Sequence, residues 1–144
     1  MDQVIASLLG TMAFVILFHA ERRDYIFAAA SGMIGWMSYL GLQQLGASAA
    51  EAALGATFLL MVVSRILSAV RRSPVTVFLV PGIFPLVPGY GVYRTAYYLF
   101  RNNLADGTRE GVNTFKVAMA IALGIVFAYA IPQAWFHKPK TRRI

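Results

Sequence analysis

Long apolar runs recur along this chain, and each ends at a short charged or turn-forming cluster. A hydrocarbon core about 30 Å thick is crossed by a helix of about 20 apolar residues. Residues 3–18, 25–42, 47–67 and 112–131 read as such helices. Residues 75–91 are equally apolar but contain Pro81, Gly82, Pro85, Pro88, Gly89 and Gly91. The expected fold is therefore an all-α polytopic membrane protein. It has about five transmembrane helices, one of them broken, or else four spans plus a re-entrant segment. Residues 1–144 are expected to form a single transmembrane domain, since so many crossings leave no room for a soluble one.

Composition excludes the other classes. The chain is 58% apolar and 13% charged, with a mean hydropathy of +0.62. A soluble globule carries about 25% charged residues, and disordered chains are poor in apolar ones. The net charge of +7 raises the question of nucleic acid. However, the cations sit in clusters between apolar runs: Arg22-Arg23, Arg71-Arg72, and Lys138, Lys140, Arg142 and Arg143. That is the pattern of cytoplasmic loops, and no nucleic-acid partner is expected. With no cysteine there is no disulfide, thiolate site or thiol nucleophile. Asp2 stands where a signal peptide would carry Lys or Arg, and no A-x-A site precedes Glu21, so the first run is read as a retained helix.

Five crossings put Arg22, Arg23, Arg65, Arg71, Arg72 and the four tail cations inside, against Arg94, Arg101, Arg109 and Lys116 outside. A re-entrant segment swaps two groups of equal size, so the positive-inside rule does not separate the models. Five crossings are preferred because the basic tail directly follows the last span, while Asp106 and Glu110 dilute the other group. Small residues at helical spacing favour close helix packing in lipid. They are Ala28, Gly32, Gly35, Ser38 and Gly41; then Ala52, Gly55 and Ala56; then Ala118, Ala122 and Gly124. Residues 90–100 read as an interfacial helix with Tyr90, Tyr93 and Tyr97 on one face, and 101–111 as a polar loop.

The proline-glycine segment is the strongest candidate site. Each proline removes a backbone donor and displaces the carbonyl four residues back, which frees those of Val77, Pro81 and Phe84. Amides near Gly82, Gly89 and Gly91 are free to face an anion. A kink that only packs against a neighbour is the structural alternative. Glu51 and Lys116 each fall four residues into an expected helix and form a candidate gate or proton-coupling pair, with snorkelling to the interface as the alternative. The tyrosine face is more often an interfacial belt than a substrate box. His19 and His137 lack a carboxylate cluster, so no metal and no cofactor are expected. No nucleophile-base constellation is visible, so no enzyme is expected.

The stretch PVTVFLVPGIFPLVPGYGVY, residues 74–93, resembles the signature of the threonine/serine exporter family, and specifically that family's C-terminal membrane unit. The similarity continues through NTFKVAMAIALGIVFAYAIP, residues 113–132. The resemblance implies the form in which this unit is a separate small subunit of a bacterial inner-membrane exporter. Its cargo would be threonine, serine or a related small carboxylate, and its energy source the proton gradient. It also implies a second membrane subunit of the same family or a homo-oligomer, with lipid and the small-molecule substrate as the other partners. Pro81, Gly82, Pro85, Pro88, Gly89, Tyr90 and Gly91 become the expected substrate-binding residues. A zwitterion needs both the amides and the carbonyls that such a break exposes. A non-transporting subunit that stabilises or regulates a partner is the alternative.

Overall fold

A computed structural model describes residues 2–132; Trp135, His137 and the cations of the basic tail lie outside that range. The chain is an all-α membrane protein. The helices are α1 (Asp2–Leu17), α2 (Tyr25–Gln44), α3 (Ala49–Arg71), α4 (Thr76–Ile83), α5 (Gly89–Phe100) and α6 (Leu104–Tyr129). Short 3-10 turns lie at Arg22–Asp24 and Phe84–Leu86. No strand occurs among the described residues.

Three segments are long and apolar enough to cross a membrane: Arg22–Gln44, Ala49–Arg71 and Leu104–Tyr129. A fourth candidate is the bent pair Thr76–Leu86 and Gly89–Phe100, whose axes meet at 45°. At about 1.5 Å per residue α1 reaches about 24 Å, short of the hydrocarbon thickness unless the bilayer thins around it.

Local chemistry sets the helix ends. Ser48 starts α3 with a reciprocal capping box: its Oγ accepts from the Glu51 amide at 3.3 Å, and the Glu51 carboxylate accepts from the Ser48 amide at 2.8 Å. α3 stops where Arg72 takes a left-handed conformation, φ 56°. Asn103 caps α6 by accepting from the Asp106 amide. As a result α6 begins at Leu104 rather than at residue 112, and most of the expected polar loop is helix.

Contacts along each pair fix the helix directions. Thr11 faces Gly32, while Gly35 meets Leu60 and Gly55 meets Leu42, so α1, α2 and α3 alternate in direction. α4 lies between α2 and α3 and runs with α2: Ser31 Oγ donates to the Phe78 carbonyl at 2.9 Å, and Gly82 abuts Leu60, Ser31 and Gly32. α6 runs parallel to α3. Gly124 lies against Leu54, Thr57 and Phe58, and Arg65 reaches the carbonyls of Ala128 and Ile131 at 2.8 and 2.6 Å. Arg65 therefore caps the C-terminus of α6, which is buried work, rather than snorkelling. α5 returns along α6, with Gly91 against Thr114, Thr95 against Gly111 and Leu99 against Gly107.

The α1–α2 and α3–α4 turns thus meet at one end of the bundle. There Asp24, 1% exposed, receives the Ser73 hydroxyl and Arg71 Nε, the latter at 3.0 Å. Arg71 also donates to the Arg23 carbonyl and stacks over Phe27. The two turns carrying the Arg22-Arg23 and Arg71-Arg72 clusters are tied together by this buried carboxylate.

The small-residue stripes are partly as expected. Ala28, Gly32, Gly35, Ala52 and Ala56 are buried. On α6 the buried face is Ala120, Ile121, Gly124 and Ala128, while Ala118 and Ala122 are exposed. A β-carbon at Gly124 would lie 2.6 Å from the Leu54 carbonyl and 3.1 Å from the Phe58 amide, atoms that cannot turn aside. Gly124→Ala should lower stability in detergent by about 1–3 kcal/mol. Gly41→Ala, where nothing lies within 4 Å, should leave it unchanged or raise it by up to about 1 kcal/mol. Thermal unfolding of the two variants tests the α3–α6 contact.

The helix directions also set accessibility. Leu45, Thr108 and Arg22 are exposed, and the chain has no native cysteine. Leu45→Cys and Thr108→Cys should react with an impermeant maleimide from one side of the membrane and Arg22→Cys from the other. Labelling of Thr108→Cys together with Arg22→Cys would mean that residues 76–100 turn back instead of crossing.

Candidate functional site

The helix break lies at residues 84–89. Pro85 and Pro88 interrupt the ladder, and the displaced groups are partly recovered locally. The Val87 amide donates to the carbonyls of Ile83 and Phe84, both at 3.2 Å, and the Gly89 amide to the Val87 carbonyl at 2.8 Å. The Phe84 carbonyl, expected to be free, is therefore occupied. Pro81 lies within α4 and is buried, and Gly82 is buried against α2 and α3. These two residues set the depth of α4 and do not line the cavity beside the break.

Beside the break is an open cavity of about 490 Å³. Pro85, Leu86, Val87, Pro88, Tyr90 and Gly91 form one wall. Trp36 and Tyr39 from α2, Ala49 from α3, and Asn113, Thr114 and Val117 from α6 form the others. Of the expected substrate-binding residues, Pro85, Pro88, Tyr90 and Gly91 meet here; Gly89 sits between two of them at the α5 start. Sequence reasoning missed Trp36, Tyr39, Asn113 and Thr114. The last two begin the second stretch of family resemblance, and that adjacency to a polar pair was the available signal.

Residues that line the cavity carry donors without a partner among the described residues. The amides of Tyr90 and Gly91 are in the first turn of α5, and neither finds a backbone acceptor among the described residues. Trp36 Nε1 is buried and has no hydrogen-bond partner among the described residues. A buried indole N–H without an acceptor is unfavourable. Tyr39 stacks on Trp36 at 5.3 Å, and its hydroxyl accepts from Gln43 Nε2 at 3.1 Å. Trp36 and Pro85 also face a smaller apolar cavity of about 290 Å³ between α1, α2 and the 84–86 turn. They form a partition between the two spaces. Phe84 closes that side by stacking on Phe14, with ring centres 3.7 Å apart.

Glu51 and Lys116 are not brought together. The Glu51 carboxylate is spent on the α3 capping box. Lys116 is exposed near the middle of α6, because α6 starts earlier than expected. No ion pair joins the two. Tyr90, Tyr93 and Tyr97 are 72%, 62% and 42% exposed along α5, a largely outward face of which only Tyr90 reaches the cavity. No group of His, Asp and Glu capable of holding a metal occurs among the described residues.

The tightest joint in this wall is Gly91 against Thr114, where an added β-carbon would overlap the threonine hydroxyl. Gly91→Ala should lower the melting temperature, and Thr114→Ala in the same chain should recover most of the loss. A double variant no more stable than Gly91→Ala would place the strain elsewhere.

The family model described as Threonine/Serine exporter, ThrE matches residues 3–131. No curated protein and no solved structure matches the chain.

Proposed function

The chain belongs to the threonine/serine exporter family, and from that premise we propose that it is a membrane subunit exporting threonine, serine or a related small carboxylate through the cavity at the helix break. The observation that carries this reading is that the first turn of α5, with the amides of Tyr90 and Gly91 unpaired among the described residues, forms one wall of this cavity. A carboxylate suits such donors, because a helix N-terminus offers both free amides and the positive end of its dipole. Asn113, Thr114 and the Tyr39 hydroxyl supply partners for the hydroxyl of the cargo. Tyr90 and Gly91 act through backbone, Pro85 and Pro88 by holding the break open, and Pro81 and Gly82 by seating α4.

The path α4–α5 is read as one broken span, with α1 as a short fifth crossing. The family resemblance supports a bacterial inner-membrane location and the proton gradient as driving force. Parallel packing of α3 and α6 keeps Glu51 and Lys116 at neighbouring levels, but with no pair between them the coupling role assigned to them rests on the sequence alone. Large apolar side chains stay exposed on α1, α2, α3, α5 and α6, among them Phe100 at 88%, a surface that lipid can cover. The family resemblance supports an assembled form, with a second family subunit or further copies of this chain.

Purified chain in liposomes, with and without a candidate partner, should export radiolabelled L-threonine in at least one arrangement. Asn113→Leu should lose about tenfold of the preference for L-threonine over its isostere L-valine, since a site built to bind a hydroxyl rejects an analogue lacking it. No export in any arrangement would favour a purely stabilising subunit. Normal export with unchanged selectivity in Asn113→Leu would move the hydroxyl site out of this cavity.

A further inference from the structure

Next to the break, α5 and the first half of α6 enclose another cavity, of about 220 Å³, lined by Arg94, Tyr98, Asp106, Arg109, Glu110 and Asn113. We infer that it is a charge-selective station for a zwitterionic α-amino acid, with Arg109 taking the carboxylate and Asp106 and Glu110 facing the ammonium. This inference rests on the reading that the cargo is an amino acid.

The break cavity offers donors for a carboxylate, but no Asp or Glu lines it. Its neighbour supplies what is missing. Asp106, Arg109, Glu110 and Asn113 follow the i, i+3, i+4, i+7 spacing that puts them on one face of α6. Both signs of charge therefore stand within two turns, as the two ends of a zwitterion require. Asn113 lines both cavities, which places them next to each other along α6.

The charged groups are not equally available. Arg94 is pinned from several sides: it pairs with Glu110 at 3.3 Å, donates to the Tyr98 hydroxyl at 2.8 Å, and lies over the rings of Tyr90 and Tyr98. Asp106 takes the Asn103 amide at 2.7 Å but keeps its other carboxylate lone pairs. Arg109 meets no acid among the described residues. A cavity-lining guanidinium without a counter-ion is suited to bidentate capture of a carboxylate. Arg94 bridges α5 to Glu110 on α6, so this pair positions the acid.

Vesicles from cells making the whole chain, with its partner where one is needed, give the test. The probes are radiolabelled L-threonine and, as competitor, L-threoninol, the amino alcohol that lacks the carboxylate. Arg109→Gln should weaken the apparent affinity for L-threonine about tenfold and leave competition by L-threoninol unchanged; Arg109→Lys should recover part of the loss. Arg109 is exposed and lies off the buried face of α6. If the substitution blocks a transport step outright, equilibrium dialysis of L-threonine against the solubilised variant reads the same affinity change. Unchanged affinity for L-threonine in Arg109→Gln, with a wild type that transports, overturns the station and leaves the export reading intact. A wild type that neither binds nor moves L-threonine overturns both.

Discussion

The close approach of α4 to α2 is the contact from which the rest of the architecture follows. α4 lies close to α2 and α3 because Gly82 carries no side chain where it meets Leu60, Ser31 and the Gly32 backbone, while Gly32 in turn leaves room for Thr11 of α1. A β-carbon on Gly82 would lie 2.9 Å from Leu60 and 3.4 Å from the Gly32 amide. In lipid no hydrophobic force drives helices together, so this closeness, with its dispersion contacts, is what holds them. Ser31 adds a fixed point by donating to the carbonyls of both Ala28 and Phe78. With α4 seated at that depth, its proline-rich end emerges beside Trp36, and one side of the break faces α2 and α6 across the cavity.

That placement explains what was legible in the sequence and what was not. Three prolines in eight residues announced a broken helix, and the break is there. Yet Pro81 is a helical residue, because a single missing amide is tolerated when neighbouring helices surround the turn. The stretch from residue 101 read as a loop because it is polar, and it contains Gly107 and Gly111. In the fold they are contact points, placed against Leu99 and Thr95 of α5. A sequence does not say whether a glycine supplies a turn or an approach. The Asn103 cap, with these contacts, moves the start of α6 to Leu104 and changes the setting of Lys116.

The site was legible by the same measure. Backbone chemistry at Pro85, Pro88, Tyr90 and Gly91 follows from proline's missing donor and from the orphan amides of any helix start. The side chains across the cavity do not. Trp36, Tyr39, Asn113 and Thr114 come from α2 and α6, distant in the chain, and only the packing of α4 and α6 brings them opposite the break. Glu51 illustrates the converse. Its position four residues into an apolar run suggested an intramembrane charge, but Ser48 three residues earlier makes it a capping residue.

The constraint that makes the break costly also makes it a place for a polar ligand. In hydrocarbon every amide and carbonyl needs a partner, and a segment without regular hydrogen bonds is tolerated only where protein or a polar cavity meets it. Local bonds at Val87 and Gly89 settle part of the debt. The amides of Tyr90 and Gly91, and the indole N–H of Trp36, remain without acceptors among the described residues. For the two amides a carboxylate is the better partner than water, because it brings charge to the positive end of α5. A continuous fourth helix would have left no free first-turn amides there, and the cavity between α2, α3 and α6 would then have offered a zwitterion only the side-chain groups of Tyr39, Asn113 and Thr114.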